Sequence, residues 1–350
     1  MRYCMRYCNH AKFVMGMVAS RRAVCAALSS VLLVGCSSVR RSPEPIRVGT
    51  YNIRLSSGDC GTDNAWEKRK ADLVALVQMM DLDAFGLQEV CPDQAQYLRE
   101  QLPAYAFVGD HRGADRKSDE ASPVFYRKDR FEAEKSGTFW LSETPEVPAS
   151  KSWGTACTRV CSYLVLRDRR TGQRFCFANT HTDHVSELAR EKGMRLIIDR
   201  MREFGQGAPI VFTGDHNNTE IEKPARSVGT LLRNALYVSK SAPRGPWRTW
   251  NGWRWMDCEV SAAEALTFPE DVRNIPNNEM DKAVRAVAAG TASPAQAFYG
   301  RCSGPRIDYI WVSDGVRVLD YETVSASRPR RNLYPSDHFP ITATILLPPQ

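Results

Sequence analysis

Several short apolar runs in this chain stop on residues that an apolar interior cannot keep. The run from Arg47 ends at Asn52, that from Ala84 at Glu89, that from Phe175 at His181 with Asp183 just beyond, and that from Ile210 at Asp215 with Asn217 two residues on. Near the C-terminus, Arg306-Ile307-Asp308-Tyr309-Ile310 supplies Asp308, and Ser336-Asp337-His338-Phe339-Pro340 supplies a carboxylate and an imidazole together. Runs of this length and composition read as strands. A carboxylate beside such a run has to be solvated, hydrogen-bonded or bound to a cation. One such ending is an ordinary cap or turn, and a single histidine is ordinarily structural. A whole series of them, carried by six separate segments, points to strand ends converging on one rim, an oxygen-rich pocket edged by two imidazoles. Hard oxygen donors of this kind select Mg²⁺, Mn²⁺ or Ca²⁺ over zinc.

The rest of the pattern from Ile46 onward alternates short apolar runs with amphipathic segments. Strands are expected at 46–53, 83–87, 122–126, 162–167, 174–180, 209–213, 307–312 and 341–347, with Thr171-Gly172 turning a hairpin between two of them. Helices are expected at 66–80, 93–102 and 186–204. The last carries Met194, Ile197, Ile198 and Met201 at the spacing of one buried face. Mixed strands and helices without an internal repeat predict one layered α/β domain over 46–350. A composition of 43% hydrophobic and 25% charged residues excludes a disordered or multi-span membrane chain. The stretch from Trp247 to Pro305 departs from the pattern. It holds Trp247, Trp250, Trp253 and Trp255, then polar, proline-bearing sequence, and reads as an insertion at about 253–305. Its tryptophans are either a stacking surface for a ligand or a miniature core.

The first 35 residues contain five basic residues and no acid, so their removal takes the formal charge of the chain from +7 to +2. Global charge therefore says little about the partner. Arg21-Arg22 precedes an apolar run, Ala23 to Val34, that is too short to span a bilayer but matches a signal-peptide core. Leu33-Val34-Gly35-Cys36 resembles the lipobox of bacterial lipoproteins, which implies a lipid on Cys36, a tether over 36–45, and an extracytoplasmic, membrane-anchored location. The other mature cysteines are Cys60, Cys91, Cys157, Cys161, Cys176, Cys258 and Cys302. Of these, Cys258 and Cys302 bracket the irregular stretch and form the expected disulfide, which an oxidising compartment permits. A monomer is expected.

Taken together, the motifs resemble the endonuclease/exonuclease/phosphatase superfamily of metal-dependent phosphoesterases, and most closely an extracytoplasmic bacterial branch of it. The resemblance covers roughly 46–252 and 306–347, and includes Gly137–Pro145, Asn179–His184 and Tyr334–Pro340. It implies a four-layered α/β sandwich of the DNase I-like kind: two packed mixed β-sheets flanked by helices, with the site at one sheet rim. It further implies that Glu89 is the principal metal ligand, supported by Asn52 and Asp337. Asp215 would orient or deprotonate the attacking water, and Asn217 would hold phosphate or that carboxylate. His338 would contact the scissile phosphate with Asp308 as its partner, and His181 would be a second phosphate-contacting histidine. Glu120 and Tyr126 lie where the family often places supporting groups, and Arg159 is either a phosphate neutraliser or a surface arginine. The usual Gly-Asp-Phe-Asn reads Gly214-Asp215-His216-Asn217 here, with His216 expected to point away from Asp215. His184 is expected to be a hydrogen-bonded neighbour of His181.

These roles suit a hydrolase of phosphoester bonds, in which a cation offsets charge on phosphorus and a base prepares water. The substrate is either nucleic acid, for which Arg328, Arg330 and Arg331 form a modest basic cluster, or a small or lipid-linked phosphate, which suits a pocket roofed by the insertion. The alternative from another class is a non-catalytic, surface-anchored binding module using the Trp247–Trp255 cluster.

Overall fold

A computed structural model describes residues 42–254, 260–268, 304–328 and 333–349, with scattered positions between 270 and 292. The leader, Cys36, Trp255, Cys258, Cys302, Arg330 and Arg331 lie outside the described residues, and with them the expected lipid site and disulfide. In chain order the elements are β1 (Ile46–Asn52), α1 (Trp66–Met80), β2 (Ala84–Gln88), α2 (Pro92–Gln101), β3 (Tyr105–Val108), β4 (Val124–Arg127), β5 (Phe131–Trp140), β6 (Val160–Asp168) and β7 (Arg174–His181). They continue with α3 (Glu187–Gly205), β8 (Ile210–Asp215), α4 (Lys223–Gly229), β9 (Arg233–Asn234), α5 (Ala262–Ala265), β10 (Asp308–Val312), β11 (Arg317–Thr323) and β12 (Ile341–Leu346).

The strands form two six-stranded mixed sheets, ordered β11-β12-β1-β2-β4-β3 and β5-β6-β7-β8-β10-β9. Ile46, Val48, Ala84 and Val124 of the first sheet share one buried cluster with Leu164, Phe175, Val211 and Ile310 of the second. The outer face of the first sheet packs Phe85 and Leu87 under Leu73, Val77 and Leu98 of α1 and α2. The outer face of the second packs Val165, Ala178 and Phe212 under Met194, Ile197, Ile198 and Met201 of α3. All four α3 residues are fully buried, as their spacing predicts. The result is helix, sheet, sheet, helix: a four-layered α/β sandwich. Ser186 caps α3 by accepting from Ala189 N at 3.1 Å, and the β6–β7 hairpin turns at Gly172, whose φ is +79°.

Four strands were not legible in the sequence. β3, β5, β9 and β11 are sheet edges, where one side meets water and charged residues are tolerated. β5 carries Glu132, Glu134 and Lys135 and shifts register between Ala133 and Lys135, so its alternation breaks. The segment expected as an insertion joins the main body where it is described. Ala262 and Ala265 of α5 are fully buried in the inter-sheet cluster beside Trp247. The three described tryptophans there have different fates. Trp247 is core, Trp250 lines the cavity described below, and Trp253 sits over the Arg69 guanidinium at 5.5 Å.

Close contact between the two sheets depends on Gly86. A Cβ there would fall 2.1 Å from Asn179 of the opposite sheet. In that gap Asn179 Nδ2 donates to Leu87 O at 2.8 Å and Pro123 O at 3.0 Å, while its Oδ1 accepts from Gln88 Nε2 and Thr213 Oγ1. A fully satisfied buried amide thus joins the sheets directly beneath the rim where the strands end.

Candidate active site

Register brings the strand ends into rows. In the second sheet, His181 of β7 pairs with Asp215 of β8, and Asp215 with Asp308 of β10. In the first, Asn52 of β1 pairs with Gln88 of β2, so Glu89 follows at the same edge. Glu89 adopts φ +60°, a left-handed conformation that a non-glycine residue rarely holds except where the surroundings enforce it. Asp337 and His338 enter on the loop before β12, which is held to the rim by Ser336 Oγ donating to Asn52 O at 2.7 Å. An open cavity of about 340 Å³ results, lined by Glu89, His181, Asp215, Asn217, Asp337 and His338 together with Arg54, Leu55, Arg112, Glu120, Cys157, Arg159, His184, Trp250 and Ile307.

Asp215 Oδ2 is the focus. Asn52 Nδ2 donates to it at 2.9 Å, and His181 Nε2 and His338 Nε2 stand 3.5 and 3.6 Å away. Asp215 Oδ1 accepts from Asn217 N at 3.0 Å. Burial, reinforced by the Asp308 carboxylate, pushes the Asp215 carboxyl up to about 7. His338 Nδ1 is 2.9 Å from Asp308 Oδ2. Burial opposes charge on this imidazole, but Asp308 and Asp215 outweigh it and raise His338 to about 10. His338 is therefore a buried imidazolium at neutral pH, with Nε2–H turned toward Asp215. His181 goes the other way. Burial, then Arg159 and Arg112, drive its pKa well below the ordinary value, so it is neutral. Asn217 Nδ2 holds it at 2.8 Å from Nε2.

On the opposite side Asn52 Nδ2 also donates to Glu89 Oε1 at 2.9 Å, so this amide bridges Glu89 and Asp215. Its own Oδ1 accepts from Arg54 N at 3.0 Å. Glu89 and Asp337 flank Arg54 at 4.0 and 3.9 Å, beyond hydrogen-bond contact. Burial works against charge on Glu89, yet Arg54, Asn52 and His338 hold its pKa down. Asp337 is raised by burial and by Glu89, against His338 and Arg54. Two buried carboxylates that repel each other, with Arg54 no closer than 3.9 Å, form a donor set suited to a hard divalent ion. Ligand atoms of Asp215, Asp308 and His338 also lie within 4.8 Å of one another. In that trio His338 Nδ1 is already engaged with Asp308 Oδ2 at 2.9 Å, the geometry of a proton-bearing pair.

The other sequence candidates divide. Glu120 and Arg159 line the cavity, and Arg159 is buried, not a surface arginine. His184 Nδ1 is 3.1 Å from Arg159 Nη2. Tyr126 packs against the inter-sheet core away from the lining residues. His216 points away from Asp215, fully buried between Phe212 and Tyr309 and accepting from Trp311 Nε1 at 3.4 Å. Asp183 accepts from Thr155 Oγ1, Ala156 N, Val185 N and Ser186 N, which ties the 152–158 loop to the start of α3. Arg328 donates to Asp63 O at 3.1 Å.

Besides Arg54, which stands between Glu89 and Asp337, sequence reasoning missed two further arginines. Arg69, which reads as a solvated helix residue, is fully buried and donates to Ile53 O, Arg54 O and Pro335 O, fastening both loops that carry the site. Arg112 lies in a highly charged loop with the signature of solvent exposure, yet lines the cavity.

Known proteins share this fold. A structure of an endonuclease/exonuclease/phosphatase family protein from Bacteroides thetaiotaomicron is 28% identical, with TM-score 0.70 over 87% of this chain and 96% of that one. The mannosyl-6-phosphatase of Bacteroides thetaiotaomicron VPI-5482 is also 28% identical, with TM-score 0.68 over 86% and 99%. Nocturnin of Drosophila melanogaster is 24% identical over 314 residues, 81% of this chain but 42% of its own length, so the chain spans less than half of that relative. The model of the Endonuclease/Exonuclease/phosphatase family matches residues 49–338. With the family match running from the first strand to His338, the chain belongs to the endonuclease/exonuclease/phosphatase family.

Proposed function

We propose that the chain hydrolyses phosphoesters by direct attack of water, with a divalent cation held by Glu89 and Asp337 and with Asn52 positioning Glu89. The observation that carries this reading is the convergence on Asp215 Oδ2 of Asn52, His181 and His338 within 3.6 Å, in a buried pocket. A carboxyl raised to about 7 is an effective proton acceptor near neutral pH. Asp215 takes the proton of the attacking water. The His338 imidazolium, oriented by Asp308, donates through Nε2–H to a non-bridging phosphate oxygen as charge builds there. Asn217 orients Asp215 through its backbone N–H and His181 through its side chain. The bound cation, Mg²⁺, Mn²⁺ or Ca²⁺, supplies further stabilisation of charge on the phosphoryl group.

Phosphate release measured with and without EDTA tests the cation, with Glu89→Gln as the matched variant. Both are expected to abolish turnover, by about 10³-fold or more on the scale of lost electrostatic stabilisation. Full turnover in EDTA overturns the metal assignment, and full turnover in Glu89→Gln overturns the ligand assignment.

We also propose that the mature chain is lipid-anchored outside the cytoplasm through Cys36, on the strength of Arg21-Arg22, the Ala23–Val34 run and Leu33–Cys36. Labelling with radioactive palmitate in the producing cell, lost in Cys36→Ala, is the expected outcome.

A further inference from the structure

The wall of the cavity facing His181 holds two arginines that the reaction above does not use. Arg112 is partly neutralised, since its Nη2 lies 2.9 Å from Asp119 Oδ1 and 3.0 Å from Glu120 Oε1. Arg159 is not. It is 6% exposed, and among the described residues it has no carboxylate within ion-pair distance. Its partner is a ring nitrogen of His184, and its Nε, like that of Arg112, is buried without a hydrogen-bond partner. Burying a guanidinium without a contacting counter-charge is costly, and here burial and the repulsion of Arg112 outweigh the more distant carboxylates of Glu120 and Asp183 and lower the Arg159 pKa. A cation kept in that condition at the lip of a cavity is matched to a ligand that brings negative charge with it.

We infer that Arg159, steadied by Arg112, recognises the second negative charge of a phosphomonoester, so that the substrate class is a small molecule carrying a terminal phosphate and not an internal phosphodiester. This rests on the phosphoester reading proposed above and adds to it a preference among esters. The charge balance supports it. A diester brings one negative charge, for which a cation held by Glu89 and Asp337 would suffice at the reacting centre. A monoester brings about −1.5 to −2 at pH 7 and more acceptor oxygens, and the planar fork of Arg159 suits two of those oxygens at once. The size is also consistent, because 340 Å³ accommodates a phosphoryl group with a compact polar body against Trp250.

The test compares p-nitrophenyl phosphate with bis-p-nitrophenyl phosphate, which share a leaving group, on wild-type enzyme, Arg159→Gln and Arg159→Lys. The wild type is expected to favour the monoester in kcat/KM. Arg159→Gln is expected to lower the monoester-to-diester ratio at least 30-fold, with Arg159→Lys recovering part of it. Calorimetric titration with inorganic phosphate, expected to weaken at least tenfold in Arg159→Gln, gives a reading independent of turnover. A ratio that stays constant while both activities fall together overturns the inference and leaves the phosphoesterase reading intact. Wild-type enzyme inert on both esters strikes at that underlying reading instead. Should Arg159→Gln fail to fold, the same ratio measured on Arg159→Lys and Arg112→Gln decides, each expected to fall by about tenfold; an unmoved ratio in both counts against the inference.

Discussion

The two walls of the cavity differ in how far their charges are paired. On the Asp215 side, the carboxylates and imidazoles hold one another: Asp308 on His338, Asn217 on His181, and Asn52 bridging Asp215 and Glu89. On the arginine side, Arg159 has no carboxylate partner among the described residues; buried unbonded atoms occur on both walls, at the Nε of Arg112 and Arg159 and at His181 Nδ1 and Asp308 Oδ1, so the unpaired charge is what sets this side apart. The first wall is organised before substrate arrives, which is how charge stabilisation is delivered without reorganisation. The second wall is incomplete until an anion enters, which is how binding selects. The contrast separates the groups expected to govern kcat from those expected to govern choice of substrate.

Disrupting the organised wall has the largest expected effect. Asp308→Asn leaves the shape of the site but removes the charge that keeps His338 protonated and oriented. Loss of about 10²–10⁴-fold in kcat, with KM nearly preserved, follows from the usual size of general acid–base contributions. Steady-state kinetics checks it, and a change confined to KM would place His338 in binding alone.

The next effect lies beneath that wall. Asn179→Ala removes the amide that joins the sheets and leaves Leu87 O, Pro123 O and Gln88 Nε2 without it. Pro123 O keeps Leu87 N and Gln88 Nε2 keeps Thr50 Oγ1, so the cost is that of several lost buried hydrogen bonds at about 1 kcal/mol each, and a fall in Tm of several degrees is expected by calorimetry. Activity per folded molecule should fall as well, because the strand ends lose their common level.

His216 sharpens the distinction between a histidine that faces the cavity and one that does not. Burial pushes its pKa down to about 3, so the folded state stays neutral where the unfolded chain takes up a proton. Stability is therefore lost as pH falls below the unfolded value near 6.5 and continues to be lost down to about 3, at about 1.4 kcal/mol per pH unit. His216→Phe removes that slope, so urea unfolding at pH 5 should show the variant gaining about 2 kcal/mol relative to its position at pH 8. An identical pH profile in both proteins would mean that His216 is solvated.

The smallest effect is expected on the arginine side. Asp119 is 44% exposed at its side chain, and Arg112 retains Glu120 without it. Asp119→Asn should change stability by no more than about 0.5 kcal/mol, the usual scale of a surface pair. A larger loss would show that Arg112 depends on Asp119 for its place.

Much of the organised wall was legible in the chain because strand-ending residues announce themselves locally. Asn52, Glu89, His181, Asp215, Asp308, Asp337 and His338 each follow or begin an apolar run, and the structure brings them together, with Asn52 and Asp308 bonded behind Asp215 and His338 of the cavity lining. The parity of a strand also predicted that His216 would face away from Asp215. Arg112 and Arg69 were illegible for the same reason: neither stands at a strand end. Arg112 sits among Asp110, Asp115, Lys117 and Asp119 in a loop with every mark of solvation. Arg69 is one of several basic residues on α1, and only its four-sided hydrogen bonding to loop carbonyls distinguishes it. The edge strands were illegible because one wet side blurs the alternation on which recognition depends.

What the amino-acid order determined by itself is the chemistry at each strand end and which face of each element turns inward, since both follow from spacing within a few residues. What only the tertiary structure decided is who meets whom. Asn52 and Asp215 are separated by 163 residues and Arg69 and Pro335 by 266, yet each pair is in hydrogen-bond contact. Such pairings depend on sheet register and on how closely Gly86 lets the two sheets approach. No local pattern encodes those distances, because they are set by the packing of the whole sandwich.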